Sequence, residues 1–128
     1  MQLTKNFTKK EFECRDGSVM PLQVLENVKI VAEQLQILRD FVGKSIVINS
    51  GYRSPSYNKR VGGAPKSQHL LGKAADITIV GLSPKKVAQI IENLIKEGKM
   101  KQGGIGIYKG FTHYDIRGVK ARWDFSNK

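Results

Sequence analysis

The stretch from Gly51 to Gly72 constrains the fold of this chain more than any other. It holds about twenty turn-forming, polar residues with little periodicity, enclosed by short β-branched runs. Loops of that length inside a compact domain are usually functional. The core must therefore come from the segments on either side. Residues 21–41 read as an amphipathic helix, with Pro21 suited to its first turn, Leu22, Leu25, Val28, Ala32, Leu35 and Leu38 at helical spacing, and Gly43 as its stop. Ser45–Asn49 and Ala74–Val80 read as strands. A second helix opens at Ser83-Pro84 and carries Val87, Ile90, Ile91, Leu94 and Ile95 inward, with Lys96 and Lys99 near the negative pole of its dipole. Gly104–Tyr108 and Phe111–Ile116, separated by Lys109-Gly110, read as a hairpin. Two main helices against a small, mainly antiparallel sheet make an α+β domain.

With 128 residues there is room for one domain, 1–128, and not for two. A hydrophobic share of 40% and a charged share of 26% sit near soluble averages, and no apolar run approaches the roughly 20 residues of a membrane span. The first residues, MQLTKNFTKKEFE, lack the apolar centre of a secretory signal, so synthesis in the cytoplasm and release by another route, such as a holin or host lysis, are expected. Cys14 is the only cysteine, which rules out an internal disulfide and suggests a half-buried packing residue. A net charge of +11 calls for a polyanionic partner or environment. Nucleic acid and anionic cell-wall polymers are both candidates. The basic residues are scattered, with no dense arm and no helix-turn-helix or RNA-binding signature, so specific nucleic-acid recognition is not expected.

Only two histidines occur, and each sits near an acid at a useful spacing. His69 precedes Asp76 by seven residues. Strand alternation turns Ala75, Ile77 and Ile79 to the core and leaves Asp76 facing a cleft. In the hairpin the same alternation puts Phe111, His113, Asp115 and Arg117 on one face, with His113 and Asp115 about 7 Å apart. If the two strands lie side by side, His69, Asp76 and His113 form a set of two imidazoles and one carboxylate, with a fourth position left to water. Zinc suits such a set, and a non-haem iron triad stays open on the same residues. A single histidine or a lone His-x-Asp is more often a surface or core residue than a ligand. The wider text changes that weighing.

Ser50-Gly51-Tyr52-Arg53-Ser54, Asn58, Val61-Gly62-Gly63-Ala64, Ser67-Gln68-His69, Gly72-Lys73-Ala74-Ala75-Asp76, Gly103–Tyr108, His113-Tyr114-Asp115 and Arg117-Gly118 form an ordered series. Asn6-Phe7-Thr8, Glu11-Phe12 and Arg122-Trp123 extend it over almost the whole chain. The series resembles the D-Ala-D-Ala metallopeptidase group, in its small carboxypeptidase-like, phage endolysin type, related to lysostaphin-type enzymes and the hedgehog domain. That resemblance implies a peptidase domain of the same fold, a zinc ion held by His69, Asp76 and His113, and a bacteriolytic hydrolase cutting peptidoglycan stem peptides. The bond cut would be D-Ala-D-Ala or of the L-Ala-D-Glu type. The resemblance also implies substrate contact for Arg53 and Gln68. A guanidinium suits a terminal carboxylate or a developing oxyanion, and a loop-ordering salt bridge is its competing role.

One departure from the pattern matters. Many relatives carry the catalytic acid three residues before the last zinc histidine, and that position here is Gly110. Asp115 is then the nearest substitute as general base, with support of a ligating imidazole as its alternative role. A monomer is expected. The rival functions are a non-catalytic zinc-containing wall-binding module and a nucleic-acid-binding protein.

Overall fold

A computed structural model describes residues 1–127. Its elements run α1 (Lys9–Phe12), α2 (Leu22–Val42), β1 (Ile46–Ser50), α3 (Pro55–Arg60), a 3-10 helix (Gln68–Leu71), β2 (Ala74–Ile79), α4 (Pro84–Lys96), β3 (Gly104–Ile107), β4 (Thr112–Asp115) and β5 (Ala121–Asp124). The strands form one sheet in the order β1-β2-β4-β3-β5. All pairs are antiparallel except β3 with β5. This is the expected α+β architecture, with two main helices and a mainly antiparallel sheet.

Alternation assigns the sheet two faces. Ala75, Ile77 and Ile79 of β2, Ile105 of β3 and Tyr114 of β4 join Val28, Leu35 and Leu38 of α2 and Val87, Ile91 and Leu94 of α4 in one hydrophobic cluster. Each fully buried Leu or Ile there is worth about 1.5–3 kcal/mol relative to exposure. The helix ends follow their local chemistry. Gly43 closes α2 at φ 65°, and the Ser83 hydroxyl caps α4 by accepting the Lys86 N–H at 3.1 Å. Leu22 departs from the expected apolar stripe. It lies 80% exposed at the first turn of α2. Cys14 is fully buried rather than half-buried.

Two further features differ from the sequence expectation. The Gly51–Gly72 stretch is not continuous loop, because it contains α3 and the 3-10 helix. Ser54-Pro55 is a cap followed by a helix-starting proline, and the Ser54 hydroxyl accepts the Tyr57 N–H at 3.2 Å. β5 was also unforeseen. Its Ala121–Asp124 run alternates apolar and polar residues, but over four residues only, and it becomes a strand by pairing in parallel with β3.

Candidate metal centre

One row of residues crosses the whole sheet. Ser50, Asp76, His113, Gly106 and Trp123 are successive register partners on β1, β2, β4, β3 and β5. Partners in register share a face. Asp76 and His113 therefore stand side by side on the face opposite the hydrophobic cluster. His69 joins them from the 3-10 helix, whose start is set by the Ser67 hydroxyl accepting the His69 N–H at 3.1 Å. Gly72 ends that turn at φ 72°, where a Cβ would lie 2.6 Å from Val24 Cγ1, so only glycine fits.

Asp76 Oδ1 lies 3.1 Å from His69 Nε2 and 3.0 Å from His113 Nδ1. One donor atom from each of the three buried residues lies within 4.8 Å of the others. Each imidazole is anchored through its other nitrogen. His69 Nδ1 is 2.7 Å from the Gly51 carbonyl, which can only accept, so Nδ1 carries a proton and Nε2 is the nitrogen turned to Asp76. His113 Nε2 is 2.7 Å from Asp115 Oδ2, which leaves Nδ1 to face Asp76. Two imidazole nitrogens and a carboxylate oxygen, each ring held by a second acceptor, make a donor set that fits a divalent transition metal.

The electrostatics agree with the geometry. Burial alone would raise the Asp76 carboxyl, yet hydrogen bonds from His113 and His69 hold it well below the usual carboxylate range. Burial would lower His113, but its hydrogen bonds to Asp115 and Asp76 outweigh this and raise it above 6.5.

Asp115 is fully buried. Its Oδ1 accepts the Gly104 N–H at 2.8 Å and the Arg117 backbone N–H and Nε–H at 3.1 and 2.9 Å. Its Oδ2 accepts from Arg117 Nη2 and His113 Nε2, both at 2.7 Å. Gly104 permits this approach, since a Cβ there would run into the Asp115 carboxylate. Five donors exceed the roughly four lone-pair sites of a carboxylate, so none is free for a reacting group. The Asp115 carboxylate thus has the contact with the His113 ring that a supporting role requires.

Arg53 donates Nε–H to Ser50 Oγ at 3.2 Å, Nη1–H to Asn58 Oδ1 at 3.2 Å and Nη2–H to Asp76 Oδ2 at 3.1 Å. The guanidinium thus steadies the Asp76 carboxylate, a contact the sequence reading did not specify. Three of its five N–H groups are used, leaving two for a ligand.

Arg53 also lines a cleft of about 650 Å³ that contains His69, Asp76 and His113. Gln68, Lys66 and Arg117 line it as well, and Tyr108, Phe111, Trp123 and Phe125 form an aromatic wall over which Arg117 packs. Asp76 is the only carboxylate among the lining residues. Gly110 sits in the exposed β3–β4 turn, outside that lining, and nothing lies within 4 Å of where its Cβ would be. A second cavity, about 580 Å³ between α4 and the β3–β5 edge, shares only Trp123 with the cleft.

Sequence reasoning passed over two neighbours of His113. Trp123 lies 5.1 Å from the His113 ring, and Arg117 packs over the indole at 5.4 Å while holding Asp115. The available signals were the same-face alternation of His113, Asp115 and Arg117 and the bare Gly106 between His113 and Trp123. A Cβ on Gly106 would collide with the indole.

Comparison with known proteins gives the arrangement a family. The chain is 39% identical over 62 residues to the zinc D-Ala-D-Ala carboxypeptidase of Streptomyces albus G, a match covering 48% of this chain and 24% of that protein. It thus spans about a quarter of that relative's length. The Peptidase M15 family model matches residues 3–115, which include His69, Asp76, His113 and Asp115. The chain belongs to the peptidase M15 family.

Proposed function

We propose that residues 1–128 form one zinc-dependent peptidase domain, acting as a monomer on the stem peptides of bacterial peptidoglycan. The bond cut is D-Ala-D-Ala or of the L-Ala-D-Glu type. The observation that carries this reading is the convergence of His69 Nε2, His113 Nδ1 and Asp76 Oδ1 in a cleft, with both rings anchored behind. Held there, a zinc ion supplies Lewis acidity for the scissile carbonyl and makes water acidic enough to attack near neutral pH.

The chain's own residues do the rest. Asp115 and the Gly51 carbonyl fix the two imidazoles, and Arg53 fixes Asp76 while offering two remaining N–H groups to a substrate carboxylate or oxyanion. Gln68 contacts the substrate within the cleft, whose lining residues Lys66 and Arg117 add positive charge suited to an acidic stem peptide. The aromatic wall gives the cleft an apolar surface for the substrate's side chains. The +11 charge draws the protein to anionic wall polymers, consistent with an endolysin made in the cytoplasm and acting on the wall after release.

Mass spectrometry of fragments released from defined peptidoglycan by the zinc-loaded protein tests the reading and identifies the bond. Release of free D-Ala marks the carboxypeptidase, and new N-terminal D-Glu marks the endopeptidase. The lack of a free carboxylate in the cleft favours a second reading, a non-catalytic zinc-containing wall-binding module. Wall binding with no fragment released, with or without chelator, would establish that module instead.

A further inference from the structure

We propose that Tyr108 contacts the substrate, its phenolic O–H donating a hydrogen bond to the scissile carbonyl oxygen as that oxygen gains negative charge. Tyr108 follows β3 and lines the same cleft as the three metal donors. Its ring is clamped, stacked on Phe111 at 4.4 Å between centroids and 12° between planes, with Phe125 edge-on at 5.7 Å. The hydroxyl is oriented as well. Trp123 Nε1–H donates to Tyr108 Oη at 2.9 Å, and an indole nitrogen can only donate, so the direction is unambiguous.

The phenol therefore receives one hydrogen bond and keeps its own proton. Among the described residues no acceptor takes that proton. The contrast with Tyr114 is direct, since the Tyr114 hydroxyl is spent on the Lys101 carbonyl at 2.7 Å and its ring lies in the core. Trp123 also packs 5.1 Å from the His113 ring, so the indole that feeds Tyr108 borders a metal donor. Donation into the phenol oxygen polarises its O–H, and the two ring contacts mean little reorganisation on reaction. Arg53 is partly spent on Asp76, and Asp115 faces away, which leaves Tyr108 as the oriented neutral donor of the aromatic wall.

This role presupposes the peptidase function proposed above. Tyr108→Phe keeps both ring contacts and removes only the hydroxyl. On a defined stem peptide its kcat should fall about 100-fold to 1,000-fold, with KM changed little, as when an oxyanion donor is lost. Two readouts need no turnover. Zinc affinity, by competition with a chromophoric chelator, should match wild type, and a phosphinate isostere of the stem peptide should bind more weakly by the same factor as kcat/KM. A kcat within about twofold of wild type overturns the role. So does a loss that excess zinc restores, because Tyr108 would then act only on the metal donors. A wild-type protein that cleaves no stem peptide overturns the peptidase reading and this role with it, whereas an active wild type with an equally active Tyr108→Phe overturns this role alone.

Discussion

Replacing Asp115 by asparagine separates support of a metal donor from proton transfer. The amide retains one oxygen, enough for the Gly104 and Arg117 donors that now converge on Oδ1. Its NH₂ then takes the place of Oδ2 and meets Arg117 Nη2–H and His113 Nε2–H, both donors. Two charge-assisted hydrogen bonds are lost, at about 1.5–3 kcal/mol each. The Arg117 side chain is 29% exposed and recovers part of its loss in water. The buried His113 bond recovers nothing, so about 1.5–3 kcal/mol falls on the ring's orientation. His113 relieves the clash by moving its proton to Nδ1, which removes the lone pair that faces Asp76. Zinc affinity should fall about 10-fold to 100-fold, or about 1.4–2.8 kcal/mol at tenfold per 1.4 kcal/mol. The two estimates coincide. Chelator competition gives the affinity, and turnover at saturating zinc should recover much of the wild-type rate. Unchanged zinc affinity with turnover down about 100-fold or more would refute this reasoning and make Asp115 a proton-transfer group.

His69→Ala, Asp76→Ala and His113→Ala should each lose zinc on gel filtration and abolish stem-peptide hydrolysis; a variant that retains one equivalent of metal and full activity removes its residue from the centre. Because His113 is raised above 6.5 in the metal-free fold, zinc must displace its proton, so zinc affinity should weaken as pH falls through that raised value. The same shift makes His113 stabilise the metal-free fold below 6.5, a contribution lost as pH rises through the raised value. Affinity and metal-free stability that both stay flat as pH rises from 6.5 through the alkaline range would remove His113 from the account. Gly106→Ala should push the Trp123 indole off His113 and cost about 1–3 kcal/mol by overpacking. Trp123 is the chain's sole tryptophan, so its fluorescence in a denaturant titration reads the change, and an unshifted midpoint would contradict the close approach.

The main helices and four strands could be read from the sequence because each carries a period of its own. Leu25, Val28, Ala32, Leu35 and Leu38 mark α2, and Ala75, Ile77 and Ile79 mark the inward face of β2. Alternation also turned Asp76 and His113 to the same side. What alternation could not supply was register, which depends on pairings across the sheet. β5 escaped because Ala121-Arg122-Trp123-Asp124 acquires strand geometry only against β3. α3 escaped for a different reason, since Ser54-Pro55 repeats the start signal of Ser83-Pro84 but the helix it opens is only six residues long, Pro55–Arg60. The roles of Arg117 and Trp123 depend on side-chain contacts that no linear spacing reveals.

The floor of the centre rests on a stretch of chain with no chemistry of its own. The Phe12 carbonyl accepts the Tyr52 N–H at 2.8 Å, and a Cβ on Gly51 would stand 2.7 Å from the Phe12 backbone. The peptide unit whose oxygen aligns His69 is thus wedged against residues that precede α2. Phe7, Phe12 and Cys14 are buried there, whereas Arg15, Asp16 and Gly17 are exposed and Val19 is 88% exposed. A protease reaching that exposed link would convert the protein into two pieces held by burial and a few hydrogen bonds. Metal affinity would then depend on dilution, as in fragment complementation, and adding a synthetic peptide of residues 1–14 would restore it.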